Sequence, residues 1–198
     1  MSCNVDGAEL RDVIERLELA AAPGFACTRE GAGFRLDIWG SFPPDWRGNL
    51  SLQCYAARLC VVSGEALRVR ASYWAGRFLL TSAGGESPER HDFVRMAQRR
   101  PQALLPPDAM RIDTLRITRG GDGAEIALAA PDRLGFLAYV LDRFAFCGLY
   151  PHRMALRTSP EGRIDDWFQV FGVAGTPPSE RALAMLSSVL TPGVRRPV

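Results

Sequence analysis

The sequence predicts an α+β protein: two ββαββα units in tandem, antiparallel sheets with helices on one face, plus an N-terminal helix. Three observations predict it. A glycine-turned hairpin pattern occurs twice, in Thr28-Arg29-Glu30-Gly31-Ala32-Gly33-Phe34-Arg35-Leu36-Asp37-Ile38 and in Thr118-Arg119-Gly120-Gly121-Asp122-Gly123-Ala124-Glu125-Ile126-Ala127-Leu128. A D-x-x-G-x-L motif follows each hairpin, as Asp45-Trp46-Arg47-Gly48-Asn49-Leu50 and Asp132-Arg133-Leu134-Gly135-Phe136-Leu137. Each motif then runs into a helical pattern of apolar residues.

Taken in order, residues 1–24 hold an amphipathic helix, about 6–22, with Leu10, Val13, Ile14 and Leu17 as its apolar stripe. It has no counterpart later in the chain. Covering a sheet face is one role for it, and a dimer or partner contact is the other. The first unit spans 25–104. The hairpins recur 90 residues apart (28 to 118) and the motifs 87 apart (45 to 132), which assigns three extra residues to the 41–44 loop of the first unit. Two apolar stripes, Leu52/Tyr55/Ala56/Leu59 and Leu50/Cys54/Ala57/Val61, mark its helix, which Gly64 is expected to end. Alternation at Leu67, Val69, Ala71 and Tyr73 predicts a strand, with Trp74-Ala75-Gly76 as the turn into residues 77–81. Ser87 and Pro88 are expected to start a closing helix that reaches about Arg100. Three prolines mark the linker at 101–108.

The second unit spans 105–192. Leu137, Val140, Leu141, Phe144 and Gly148 follow one helix face, and Gly148 ends that helix. Strands follow on either side of the turn Ser159-Pro160-Glu161-Gly162, and Pro178-Ser179 open a helix over 180–190. Residues 193–198 are a tail.

Composition fits an ordinary folded chain of 198 residues, with 47% hydrophobic and 23% charged side chains. A net charge of +2 argues against nucleic acid or an acidic membrane as a partner. Every basic residue is arginine, so an arginine-rich phosphate-binding surface stands against a plain compositional bias. The five cysteines form no C-x-x-C pair, which indicates neither a disulfide framework nor a zinc site and fits free thiols in a reducing compartment. No signal-like start and no run of roughly 20 apolar residues occur, so the expected location is cytoplasmic.

The second unit resembles an ACT domain, most of all the C-terminal ACT pair of the bacterial uridylyltransferase that modifies the PII signalling protein. The likeness rests on Arg119-Gly120-Gly121, the run from Glu125 to Leu128, Pro131 with the Asp132 motif and Ala138, Gly148-Leu149, and Asp165-Asp166-Trp167-Phe168-Gln169-Val170. The first unit is recognised by analogy with the second. Leu134 and Arg47 stand where that family usually has proline, and Asn49 stands where a bulky residue is usual. The resemblance implies a ferredoxin-like fold, an amino-acid effector (glutamine first), no cofactor, a homodimer and a regulated protein partner. It implies ligand contact at Asp132, Arg133, Leu134, Gly135, Phe136 and Leu137, and at Asp45, Arg47, Gly48, Asn49 and Leu50. Physically, a glycine lets a ligand approach the backbone, a helix N-terminus attracts a carboxylate, and an aspartate attracts an ammonium. The alternative is that Asp45 and Asp132 cap their helices and the glycines permit packing.

Catalysis is not expected. Only two histidines exist, His91 and His152, so the His91-Asp92 dipeptide lacks the companions of a metal hydrolase. Asp165 and Asp166 are neighbours, which on a strand sends them to opposite faces. No nucleophile elbow or phosphate loop occurs. Two further readings compete with effector binding. One is a protein-interaction module with a decayed ligand site, anchored by exposed Trp39, Trp46, Trp74 and Trp167. The other is RNA binding, for which Tyr73 and Phe78 are too few aromatics.

Overall fold

In a computed structural model, residues 10–20, 22–84, 87–100, 110–121 and 123–191 are described. The first half holds helix α1 (Arg11–Leu19), strands β1 (Gly24–Glu30) and β2 (Gly33–Ser41), and helix α2 (Trp46–Ala56). Strands β3 (Leu59–Arg70) and β4 (Tyr73–Ser82) and helix α3 (Phe93–Gln98) complete it. The second half holds β5 (Thr114–Gly120), β6 (Gly123–Pro131), α4 (Phe136–Phe146), β7 (Tyr150–Arg157), β8 (Arg163–Phe171) and α5 (Glu180–Leu190). The order ββαββα occurs twice. The strands form one antiparallel eight-stranded sheet, β1-β2-β4-β3-β7-β8-β6-β5, rather than two separate ones. The halves meet where β3 pairs with β7, from Ser63 opposite Arg157 to Leu67 opposite Arg153. The linker expected at 101–108 and the tail at 193–198 lie outside the described residues.

Strand alternation sorts the side chains. Leu36 and Ile38 on β2, Phe78 and Leu80 on β4, Ile126 and Leu128 on β6, and Phe168 and Val170 on β8 enter one core beneath the helices. That core runs without a break through both halves and takes in Trp46, Phe93, Phe144 and Leu186. Helix α2 packs on the sheet, on α3 and on α4. Burial on several sides explains why its sequence shows two apolar stripes instead of one.

Helix α1 lies on the other face of the sheet, where Leu10, Val13 and Ala75 are buried with Trp39, Leu67 and Val69 around them. Of its two expected roles, it covers a sheet face. Buried Asp37 holds it there through Arg77, whose Nε and Nη2 donate at 2.7 and 3.0 Å, while Arg77 also reaches Asp12 of α1 at 2.7 Å. In the second half the matching positions carry Ala127 and Trp167, which face each other across β6 and β8.

The halves follow the same path, with four element starts 90 residues apart (24 and 114, 33 and 123, 46 and 136, 73 and 163), β3 and β7 starting 91 apart (59 and 150) and the closing helices 87 apart (93 and 180). The three-residue slip read from the motifs is therefore absent. Both loops between hairpin and helix have four residues, 42–45 and 132–135. Asp45 matches Gly135 at the start of its helix, and Gly48 matches Ala138 inside one. Trp46 and Phe136, 0% and 2% exposed, set this register by filling the same place in the core.

Other expectations change for related reasons. Gly64 lies within β3 and ends no helix; a Cβ there would come 2.5 Å from Phe78 Cδ1 and 2.6 Å from the Arg77 carbonyl oxygen. Helix α2 closes instead at Arg58, whose φ of 56° places a non-glycine residue where α4 uses Gly148 (φ 69°). The β3–β4 turn falls at Ala71-Ser72, not at residues 74–76, which pair within β4. Ser87 precedes a short 3-10 turn, Pro88–Arg90. The closing helix begins later, where Asp92 Oδ1 accepts from the Arg95 N–H at 2.9 Å. Asp92 thus has a capping role, and His91 sits half-buried, edge-on to Phe93, outside that helix. Ser179 caps α5 by accepting from the Ala182 N–H at 3.1 Å, as expected. Cys60 stands on β3 and not on a helix.

Candidate functional site

The loops before α2 and α4 open onto two clefts where the halves meet. In the second half Asp132, Arg133, Leu134, Gly135, Phe136 and Leu137 all line one cleft, closed from the first half by Ser51, Cys54 and Tyr55 of α2 and by residues 59–61 of β3. Thr158 and Asp166 complete it, and its enclosed room is about 30 Å³, enough for one or two waters. Gly135 starts α4 with φ 87°, a conformation that glycine adopts at little cost. Asp132 does not cap α4; its N–H donates to the Gly162 carbonyl at 2.9 Å and its carboxyl stands at the rim.

Asp166 is the residue that sequence reasoning missed. It is 5% exposed and faces inward from β8, while Asp165 faces solvent. The period of two was the available signal, since Asp166 falls between Ile164 and Phe168 on the core face. Its Oδ1 accepts from the Arg157 N–H at 3.1 Å, and no ion pair reaches it among the described residues. Burial pushes its carboxyl up to about 8 against the opposing Arg157 amide, with lesser upward contributions from the charges of Asp165 and Asp132. Burial also raises Asp132. The cleft therefore gathers two acids beside the start of a helix, a pairing suited to a zwitterion.

The matching cleft of the first half is lined by Asp45, Arg47, Gly48 and Asn49 against Leu141, Asp142 and Ala145 of α4. Its residues mostly serve packing. Asn49 Nδ2 donates to the Ala97 carbonyl at 3.2 Å and ties α2 to the end of α3. Its counterpart Tyr139 does the same for α5, its hydroxyl donating to the Val189 carbonyl at 3.4 Å. Leu50 is buried away from this cleft. Gly48 has ordinary helical surroundings, with Leu141 Cβ 4.0 Å from where a Cβ would stand. Pro44 and Trp46 flank Asp45, so a proline before and a bulky residue after do occur here once the register is 90.

Arg47 is unusual: 3% exposed, with its guanidinium 4.0 Å from the Trp74 ring centre and only Nη2 bonded, to the Pro44 carbonyl at 3.1 Å. Burial and the nearby Arg68 push it down to about 9, so it remains charged at neutral pH. Of the four tryptophans that the interaction reading needs exposed, Trp46 and Trp74 are buried, the commoner case for tryptophan, and Trp39 and Trp167 are half-buried. Cys54 and Cys147 are buried free thiols, and burial pushes Cys54 up to about 12. Among the described residues no group of three or more His, Cys, Asp or Glu side chains could hold a metal ion. No described helix is long and apolar enough to cross a membrane.

No family model matches the chain, and no curated protein matches it. Among solved structures, an aspartate kinase from Synechocystis is similar over 82% of this chain and 26% of its own, at 12% identity and a TM-score of 0.43. The chain spans about a quarter of that protein's length.

Proposed function

We propose that this chain is a non-catalytic, cytoplasmic regulator of the ACT type, with two ferredoxin-like units, that binds an amino acid in the Asp132–Asp166 cleft. The observation that carries the reading is the inward carboxyl of Asp166, which has no paired cation among the described residues and stands beside the loop that resembles an effector-binding loop. An ammonium group would favour the ionised form of Asp166 and take the place of the proton it otherwise holds, and the start of α4 would receive the carboxylate. Glutamine is the first candidate through the resemblance. The cleft has to widen to admit a whole amino acid, so binding would couple to movement of one half against the other and pass the signal to a homodimer contact or a protein partner. Calorimetry of the full chain against the twenty amino acids tests this: saturable heat from one or a few at millimolar concentration is expected, and none from any of them contradicts it.

A second reading is an interaction module with a decayed site. It is favoured by the narrowness of the cleft and by Trp167 on the second-half sheet face that α1 leaves uncovered. A stoichiometric protein partner retained regardless of added amino acids would support it.

A further inference from the structure

At the end of the β3–β4 hairpin lies a second cavity of about 220 Å³, which shares no residue with the Asp132–Asp166 cleft. Phe42, Trp74, Tyr150 and Val173 give it apolar walls, and Arg68 and His152 supply its polar side. Arg68 Nη1 donates to His152 Nε2 at 3.1 Å, which requires a neutral imidazole, and the His152 ring stacks on Phe171 at 4.1 Å. Arg68 also donates from Nε to the Ala71 carbonyl. On the Trp74 ring converge two guanidinium groups, Arg47 at 4.0 Å and Arg68 at 5.9 Å.

The positive charge in this place is uncompensated. Neither Arg47 nor Arg68 forms an ion pair among the described residues, and the charge of Asp45 favours the Arg47 cation less than burial and Arg68 oppose it. Arg47 itself lines neighbouring clefts and not this cavity, whose own unmet groups among the described residues are the Arg68 cation and the buried Nε1 donor of Trp74. Folded proteins rarely leave a half-buried cation and a buried donor unmet side by side, and an acceptor brought by a ligand removes the penalty. Guanidinium forks fit oxyanions, and aromatic walls fit a flat apolar body.

We propose that this cavity binds a small organic anion, with its carboxylate on the arginine side at Arg68 and Trp74 and a flat apolar body against Phe42 and Tyr150. His152 acts as a positioning residue by holding Arg68 over the cavity. The proposal does not depend on amino-acid binding in the other cleft.

Phenylacetate is a suitable probe, with phenethylamine as its cationic analogue and inorganic phosphate as an anion lacking the apolar body. Calorimetry and thermal unfolding of the full chain should show saturable phenylacetate binding that raises the melting temperature. Phenethylamine should give neither effect, and phosphate should bind at least about tenfold more weakly. Arg68→Gln, at a half-buried position whose fold circular dichroism can verify, should weaken phenylacetate about tenfold or more, while Asp166→Asn leaves it unchanged. The proposal is overturned if phenylacetate does not saturate at millimolar concentration, if phenethylamine binds as well, or if Arg68→Gln binds like the parent. Phosphate binding as tightly as phenylacetate would overturn the apolar part of the site.

Discussion

The loops that lead into α2 and α4 occupy the same place in the two halves but meet it with opposite chemistry. In the second half the place of the helix start falls to Gly135, in a left-handed conformation, and the loop faces two acids. In the first half Asp45 takes that place, Arg47 is buried on Trp74, and Asn49 is spent on α3. The difference teaches that one chain path can keep its core register while its polar chemistry diverges. Trp46 and Phe136 preserve the path, and the residues around them are free to change.

The largest test of this contrast concerns Asp166. Its carboxyl ionises near 3.8 in the unfolded chain but only near 8 in the folded one. The native state thus holds a proton that the unfolded state has released. This contribution to stability is whole below pH 3.8 and is lost as pH rises through about 8. Asp166→Asn keeps an acceptor for the Arg157 amide and should raise stability at pH 8 by on the order of a few kcal/mol, with little gain at pH 4. Denaturant titration at the two pH values checks it; an equal effect at both would place the carboxyl outside the buried setting described.

The two motif glycines give a smaller and opposite pair of effects. Gly135→Ala should cost about 1–2 kcal/mol, because its φ of 87° strains any side chain. Gly48→Ala should instead stabilise by up to about 1 kcal/mol, since Gly48 is helical and its new methyl group meets only Leu141 Cβ at 4.0 Å. Thermal or denaturant unfolding of the two variants measures both. Loss in both would restore the register in which Gly48 matches Gly135.

The smallest expected effect compares the helix ends. Arg58→Gly should gain roughly 0.5–1 kcal/mol by removing a left-handed non-glycine residue, offset in part by loss of the bond from Arg58 Nε to the Ala83 carbonyl at 3.0 Å. The same melts check it, and a clear loss would show that this bond outweighs the backbone strain.

These comparisons also show what the sequence discloses. Both hairpins were legible because tight turns are local and glycines mark them. The closing helix over 180–190 was legible through Ser179, whose cap is three residues long. The register between the halves was not, since three matching letters in D-x-x-G-x-L outweighed the bulky pair Trp46 and Phe136. Gly64 misled for a similar reason: its lack of a side chain answers to Phe78, on another strand. Of the site, the 132–137 loop was legible from resemblance, and Asp166 could have been found from strand alternation. The gathering of Arg47, Arg68, Trp74 and His152 could not. Those four come from α2, β3, β4 and β7, and only the pairing of β3 with β4 and β7 brings them together.

The most direct test of the central claim is calorimetric titration of the amino acid that binds best into the parent chain, Asp166→Asn and Asp45→Asn. Binding is expected to weaken about tenfold or more in Asp166→Asn and to stay within about twofold of the parent in Asp45→Asn. Equal weakening in both, or in neither, would contradict a ligand site at the Asp132–Asp166 cleft as distinct from the Asp45 cleft.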